Sequence, residues 1–391
     1  MAYDFETLID RSDCGAFKYV EMQENYPDLP RDTVPFSMAD MEFKNAPCIL
    51  EALHHYLDTY TLGYCWQTEG YLNAVCGWQK RRHGWEPKPE WILPTTGALP
   101  GIFGAIQEFT KPGEGVIFFS PVFGWFKGGA ALNGRTPVPC PLNCADGSFT
   151  IDFDRLEELA ADPHNRMVLL CNPHNPTSHV WTEEDLTRVA DICLKHGLLL
   201  FSDEIHADLV MPGARQISMG CLDERYRDHL IICVAPSKTF NTAGMQAANL
   251  IIFRKDWKDR MTRRLQANGI FNLTALGYVT VQAAYEKGDS WLDECIAYVW
   301  ENHKLVKDFM AEHLPQVRVF DMEATYLQWL DFSQVVSSHE ELKERLHHAG
   351  VIMDQGPDFG PEGVCFERMN LACPRRVLKA ALERMAEEFN K

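Results

Sequence analysis

Lys238 has the residue type and the setting for amine chemistry. It follows the apolar run 230–234, so its ammonium group is expected beside a buried strand. Burial disfavours the charged form of a lysine and lowers its pKa, which makes it an amine able to form a Schiff base. The alternative is a lysine that only clears the end of a strand and pairs with an acid.

Asp203 ends a second apolar run, residues 198–201, and is expected at the same edge of the sheet as Lys238. A carboxylate in that position can keep a pyridinium nitrogen protonated, and the protonated ring can then accept electrons from a substrate. Two other interpretations remain open for Asp203: it caps the following helix, or it forms a salt bridge with Lys238.

Two further segments could present hydrogen-bond donors to a small ligand. In residues 171–177 two prolines cannot continue a strand, so the asparagine amides are presented from a rigid loop. An ordinary Asn-Pro turn is the alternative there. Residues 96–101 form a glycine-rich turn before a helical pattern, and the free N–H groups at the start of a helix can bind a phosphate.

Short apolar runs predict the sheet that positions these residues. They occur at residues 116–119, 167–171, 198–201 and 230–234. Continuous runs of this length are typical of strands buried on both faces, as in a parallel sheet. Between the second and third run, Thr182 and Asp185 resemble a capping box and Gly197 closes a helical pattern. This strand–helix–strand order predicts an α/β fold, with ligands beyond the carboxyl ends of the strands.

The pattern changes after about residue 285, where helical spacing at 291–312 precedes short strand-like runs and a final helix. We therefore predict a large, mostly parallel-sheet α/β/α domain and a smaller α+β domain. The predicted boundaries are an N-terminal segment that packs on the small domain (1–45), the large domain (46–285) and the small C-terminal domain (286–391).

Composition excludes several classes of function. The 391 residues include 37 Lys and Arg against 55 Asp and Glu, a net charge of −18, which disfavours nucleic acid and anionic membranes. We find no signal peptide and no apolar run long enough to span a membrane. The 13 cysteines are scattered without a CxxC pair, which indicates reduced thiols rather than a metal site and favours the cytoplasm.

In this order and spacing, the elements resemble fold-type I pyridoxal 5′-phosphate (PLP) enzymes of the class I/II aminotransferase superfamily over nearly the whole chain. Three motifs are similar to the MalY/PatB group of cystathionine β-lyases, which cleave carbon–sulfur bonds of cysteine conjugates: SDEIH at 202–206, SKTFN at 237–241 and TYL with WLD at 325–331. SDEIH is fairly specific, because transaminating relatives usually have tyrosine in place of His206.

The resemblance implies a role for each residue of the central constellation. Lys238 would carry the cofactor and, once displaced by substrate, act as the base at Cα. Asp203 would pair with the pyridine nitrogen. Asn175 would donate to the phenolic oxygen of the cofactor, with His206 nearby. Arg368 would bind the substrate carboxylate, since a guanidinium group can do so through two parallel hydrogen bonds.

The same resemblance assigns the rest of the cofactor site. The phosphate would be bound by backbone amides of three consecutive residues, Gly97, Ala98 and Leu99, with Ser237 as a weaker candidate. Tyr64 would reach the phosphate of the neighbouring subunit, although a core aromatic is its alternative. The resemblance therefore implies a homodimer.

Four positions depart from the usual pattern of this family. Phe123 stands where a tyrosine or tryptophan normally covers the cofactor ring, so stacking survives but a hydroxyl is lost. Ser178 replaces the glycine that usually ends the Asn-Pro-Thr-Gly run. Ala235 and Gln246 replace a phosphate-binding serine and arginine of many relatives, which should weaken phosphate binding unless other donors compensate.

The predicted reaction is α,β-elimination of cystathionine or a cysteine S-conjugate to a thiol, pyruvate and ammonia, with no metal. An aminotransferase on the same scaffold shares every residue named except the SDEIH signature and the altered phosphate region. A non-catalytic regulator with the same fold is the alternative of a different class. The joint presence of Lys238, Asp203, Asn175 and Arg368 argues against it.

Overall fold

The computed structural model describes residues 2–145 and 147–391. Its helices are α1 (Phe17–Asn25), α2 (Pro47–Thr59), α3 (Glu69–His83), α4 (Ala98–Phe109), α5 (Trp125–Leu132), α6 (Phe153–Ala161), α7 (Glu183–His196), α8 (Pro236–Thr239), α9 (Lys255–Ala267), α10 (Ala275–Lys287), α11 (Asp289–His313), α12 (His339–His348) and α13 (Arg375–Phe389). Its strands are β1 (Ile92–Thr95), β2 (Gly115–Ser120), β3 (Thr136–Pro141), β4 (Asn143–Ala145), β5 (Ser148–Thr150), β6 (Asn165–Cys171), β7 (Leu199–Asp203), β8 (Leu230–Val234), β9 (Ala248–Ile252), β10 (Arg318–Val319), β11 (Leu327–Asp331), β12 (Asp354–Gln355) and β13 (Phe366–Asn370).

A seven-stranded sheet in the order β1-β9-β8-β7-β6-β2-β3 forms the centre of the molecule. Strands β3, β2, β6, β7 and β8 are parallel, whereas β9 and β1 join antiparallel at one edge. Every residue of β2, β7 and β8 is buried. Helices pack on the two faces and remove them from water, which is why these strands are apolar throughout. The predicted α/β fold is confirmed.

Helix α7 forms where the capping signals predict it. Thr182 accepts from the N–H of Asp185 while the Asp185 carboxylate accepts from the N–H of Thr182, a complete capping box. The helix ends at Gly197, whose φ of 66° is left-handed. Its buried face, Leu186, Val189, Ala190 and Cys193, closes the connection between β6 and β7.

A second sheet of four strands, in the order β10-β11-β13-β12, lies in the C-terminal part of the chain. The N-terminal segment contacts it, because the N–H of Phe36 donates to the Ile352 carbonyl and the N–H of Asn370 donates to the Phe36 carbonyl. The boundary predicted at residue 285 falls inside α10, near its last turn.

The part of the chain that the structure describes contains no helix with the length and apolar character needed to cross a bilayer. All 13 cysteines are free thiols, and most of them are buried among apolar side chains. Among the described residues there is no group of His, Cys, Asp and Glu side chains arranged to bind a metal ion.

Candidate active site

The carboxyl ends of three neighbouring parallel strands meet at one edge of the large sheet. The loop that carries Asn175 follows β6, Asp203 is the last residue of β7, and Lys238 lies on α8 just after β8. In the sheet register Asp203 lies between Cys171 and Cys233. Strand order therefore brings together three residues that are far apart in the sequence.

Lys238 forms no salt bridge with any described residue, and its one hydrogen bond is to an uncharged group. Its Nζ donates to the backbone carbonyl of Ala39 at 2.9 Å. Burial and, to a smaller extent, the positive charge of Arg368 lower the pKa of Lys238 to about 8, against the opposing effects of Asp40, Asp203 and Asp354. A fraction of Lys238 is therefore a neutral amine near neutral pH.

Asp203 is a buried carboxyl group, 3% exposed, that forms no salt bridge with the described residues. One oxygen accepts from the N–H of Ile205 at 3.3 Å. Burial, with a smaller contribution from nearby Glu204, raises the pKa of Asp203 to about 7, although the Ile205 N–H and Lys238 oppose the rise. Neither a helix cap nor a direct pair with Lys238 accounts for this carboxyl group. It has the setting expected of one that pairs with a cationic nitrogen of a ligand.

His206 follows Asp203 in the next turn and is also buried. Its Nδ1 has no hydrogen-bond partner among the described residues. Burial lowers the pKa of His206 well below its ordinary value, and the charges of Lys238 and Arg368 act in the same direction. The ring is therefore neutral at physiological pH, and it can hold a hydrogen bond to a ligand without carrying a charge.

Asn175 and Arg368 are in direct contact. The Nη1 of Arg368 donates to the Oδ1 of Asn175 at 2.6 Å, which fixes the orientation of the amide and leaves its NH₂ group as a donor. The backbone carbonyl of Asn175 accepts from the backbone N–H of Phe123 at 3.1 Å. The backbone of Phe123 is thereby held beside the loop that carries Asn175.

Two partners of Arg368 were not predicted from the sequence. Its Nε and Nη2 both donate to one oxygen of Asp354, at 3.0 and 2.6 Å. Its guanidinium carbon lies 4.6 Å from the ring centre of Phe359. Asp354 lies on the neighbouring strand β12 in register with Arg368, a pairing that no local sequence pattern indicates.

The start of α4 supplies two of the three predicted phosphate donors. Gly97 caps the helix with a φ of 112°, a conformation that only glycine adopts readily. The N–H of Gly97 donates to the Thr95 carbonyl at 2.7 Å, so its amide is already occupied. Ala98 and Leu99 begin the helix, and their N–H groups have no acceptor within it. Ser237 is partly exposed on α8, beside Lys238.

The four departures have distinct surroundings. Phe123 is partly buried beside the site. Ser178 has a left-handed φ of 56°, a conformation that a glycine would adopt without strain. The Ser178 hydroxyl donates to the Leu327 carbonyl at 2.5 Å, and this hydrogen bond helps to hold the residue in that conformation. Ala235 is buried, whereas Gln246 is exposed with a φ of 48°.

Tyr64 is 105% exposed and lies outside this cluster within one chain. It lines a surface pocket together with the exposed side chains of Leu62 and Phe271. The alternative interpretation of Tyr64 as a core aromatic is therefore wrong. A role at the site would require a second copy of the chain.

The residues present fit PLP. Asp203 is a buried carboxyl group without a cation, suited to a protonated ring nitrogen. The NH₂ group of Asn175 is a donor for a phenolic oxygen, and Lys238 is an amine for the aldehyde. The two free N–H groups at the start of α4 suit a phosphate.

The fold is a mostly parallel sheet covered by helices, and its carboxyl edge carries a lysine, a buried aspartate and an arginine. This combination is typical of proteins that bind a cofactor and an anionic substrate together. The chain belongs to the family described as aminotransferase class I and II, whose sequence profile matches residues 32–385.

Comparison with individual proteins agrees with this assignment. The chain is 39% identical to "Cystathionine beta-lyase PatB" of Bacillus subtilis, over 90% of this chain and 92% of that protein. It is 31% identical to "Protein MalY" of Escherichia coli, with 96% of each covered. It superposes on the crystal structure of cystalysin from Treponema denticola, which contains a PLP cofactor, with a TM-score of 0.98 and 41% identity, covering 100% of this chain and 99% of that one. The predicted resemblance to the MalY/PatB group is confirmed.

Proposed function

We propose that this protein is a PLP-dependent carbon–sulfur β-lyase that converts cystathionine or a cysteine S-conjugate to a thiol, pyruvate and ammonia. The observation that carries the proposal is the buried Asp203 carboxyl group without a cation, next to Lys238 with its lowered pKa. The similarity to the B. subtilis protein, which is named a cystathionine β-lyase, supports the choice of reaction.

Each part of the cofactor has a residue suited to it. Lys238 would hold the aldehyde carbon, Asp203 the ring nitrogen and Asn175 the phenolic oxygen, with His206 close by. The amides of Ala98 and Leu99 would hold the phosphate, and Ser237 is available beside them. When bound, PLP supplies an electron-accepting ring that stabilises the negative charge left at the substrate Cα.

Arg368 would orient the substrate by its carboxylate. Its contacts with Asn175 and Asp354 fix the plane of the guanidinium group before substrate arrives, which reduces the entropy lost on binding. Lys238 would then remove the Cα proton, a task that requires a neutral amine. Its pKa of about 8 keeps an appreciable neutral fraction near pH 7.5. His206 is neutral and would orient groups rather than exchange protons.

The test is a pyruvate assay with cystathionine and a small panel of cysteine S-conjugates, without any added keto acid. The expected result is pyruvate and thiol in equal amounts, abolished in Lys238→Ala. A requirement for a keto-acid acceptor would overturn the lyase proposal and establish an aminotransferase instead, the second candidate that the family description supports. A colourless protein after PLP addition, without absorbance near about 400–430 nm, would favour a non-catalytic regulator.

We also propose a homodimer in which Tyr64 of one protomer completes the site of its partner. The exposed side chains of Leu62, Tyr64 and Phe271, which line one surface pocket, support this arrangement, because monomeric proteins rarely leave such side chains together in water.

Mixing two inactive variants tests the dimer directly. A hybrid of a Tyr64→Ala subunit and a Lys238→Ala subunit contains one intact site if Tyr64 acts across the interface. Random exchange of equal amounts should then restore about a quarter of wild-type activity, since half of the dimers are hybrids with one of two sites working. No recovery after verified exchange would show that Tyr64 acts within its own chain or not at all.

We further propose a cytoplasmic location and the domain division at about residue 285. The free, mostly buried thiols support a reducing compartment. The separate four-stranded sheet supports a smaller C-terminal domain. Fractionation of the native host and limited proteolysis between α10 and α11 test the two proposals.

A further inference from the structure

A buried carboxylate behind the site joins three separate parts of the chain. The side chain of Asp208 is 7% exposed and accepts three hydrogen bonds. Its Oδ1 accepts from Trp78 Nε1 at 2.8 Å and from His83 Nε2 at 2.7 Å. Its Oδ2 accepts from the Thr239 hydroxyl at 2.6 Å. Trp78 and His83 belong to α3, whereas Thr239 is the last residue of α8.

Asp208 is ionised in this setting. Burial opposes the charge, but the hydrogen bonds and charge of His83, together with Thr239 and Trp78, lower the pKa of Asp208 overall. Burial also opposes protonation of His83, yet the Asp208 carboxylate raises the pKa of His83 above its ordinary value. The two opposite shifts describe one buried ion pair.

The position of this ion pair connects it to the chemistry. Thr239 directly follows Lys238, and its side chain is completely buried. Asp208 ends the turn that begins after Asp203 and carries His206. The Thr239–Asp208 hydrogen bond therefore ties the short helix of Lys238 to the turn of His206. A helix of only four residues has little rigidity of its own, so its orientation depends on such contacts.

We propose that Asp208 is a positioning residue for Lys238, which it holds in place through the Thr239 hydroxyl. The inference rests on the proposed function, in which the Lys238 amine must reach both the cofactor aldehyde and the substrate Cα proton. Such transfers are sensitive to displacements of about 1 Å, which can cost up to about a hundredfold in rate.

Thr239→Val isolates the link, because valine keeps the shape of threonine and removes only the hydroxyl. Thr239→Ser restores the hydroxyl and is the conservative variant. Trp78→Phe is the matched control, since it deletes another donor to the same carboxylate, keeps an aromatic ring facing Phe240 and leaves the Thr239 hydroxyl in place. All three are compared with wild type for melting temperature, for kcat and KM, and for the rate at which the cofactor-free protein captures added PLP.

The expected result for Thr239→Val is a fall of about tenfold in both kcat and the PLP capture rate, with KM little changed. The kinetic isotope effect with α-deuterated substrate should rise, because proton transfer by a misplaced Lys238 becomes more rate-limiting. Thr239→Ser should restore all of these values. Trp78→Phe should lower the melting temperature and leave the isotope effect and the capture rate near wild type.

A purely structural role gives a different pattern. Thr239→Val would then lower only the melting temperature, as the control does, and this result would overturn the inference. The capture rate needs no substrate, so it tests the link even if the protein makes no pyruvate. Failure of the proposed function and failure of this inference are thereby separated.

Discussion

Asp203→Asn should make the cofactor-free protein more stable at alkaline pH relative to wild type. The pKa of the buried carboxyl group is raised from an ordinary 3.8 to about 7. A folded-state pKa above the unfolded value stabilises the protein at low pH, and this contribution is lost as the pH rises through about 7. The asparagine side chain does not titrate, so its contribution does not change with pH.

The size of the effect follows from the two pKa values. Each pH unit between them corresponds to about 1.4 kcal/mol, so the interval from 3.8 to about 7 gives about 4 kcal/mol in total. About 2.5 kcal/mol of this falls between pH 5 and 8, because the unfolded carboxyl group is already largely ionised at pH 5. From pH 5 to pH 8 the free energy of unfolding of wild type should fall by that amount relative to Asp203→Asn.

Urea unfolding of the cofactor-free proteins at intervals from pH 5 to 8 measures the difference. The exposed residue Asp308 provides the control variant, Asp308→Asn, which should track wild type at every pH. With PLP bound at pH 8 the order should reverse, because only the carboxylate can pair with a cationic ring nitrogen, and tighter binding stabilises the folded state more. A constant difference between wild type and Asp203→Asn from pH 5 to 8 would refute the reasoning.

Three other variants test separate parts of the site. Arg368→Lys should lower kcat/KM by about 10- to 100-fold in the pyruvate assay while PLP absorbance is kept, because an ammonium group cannot form the paired hydrogen bonds to a carboxylate. Gly97→Ala should lower the free energy of unfolding of the cofactor-free protein in urea by about 1–3 kcal/mol, since its φ of 112° strains any residue with a Cβ atom; an unchanged free energy of unfolding would mean that the turn relaxes without cost. Asp354→Asn should move the acid limb of PLP capture to lower pH, because Asp354 is one of the acids that raise the pKa of Lys238; a shift to higher pH contradicts this.

The sequence was informative where local patterns are strong. The apolar runs predicted β2, β6, β7 and β8, and the capping signals predicted α7, because both depend on neighbouring residues alone. The antiparallel edge formed by β9 and β1 was not predicted, since pairing direction depends on connections distant in sequence. The cluster of Lys238, Asp203 and Asn175 followed from strand order, which places the strand ends at one edge.

The contacts that orient the cluster were not predictable in the same way. Ala39, which accepts from Lys238, is 199 positions away in the sequence and contributes only a backbone carbonyl, which every residue has. Asp354 lies opposite Arg368 because β12 pairs with β13, and no pattern of charges in the sequence indicates this pairing. No local pattern singles out Asp208, because its three donors come from two distant helices.

The pKa values of Asp203 and Lys238 have one common cause. Burial favours the neutral form of both groups, and because they form no salt bridge with each other, each offsets the cost for its neighbour only in part. A direct pair would have kept both charged and left the amine protonated and unreactive. Keeping the two groups apart leaves Lys238 available as a nucleophile and a base, and leaves Asp203 ready to receive a cation that the chain itself does not supply. The hydrogen bonds of Lys238 with Ala39 and of Thr239 with Asp208 would hold this separation, so the residues proposed to position the lysine would also preserve its reactivity.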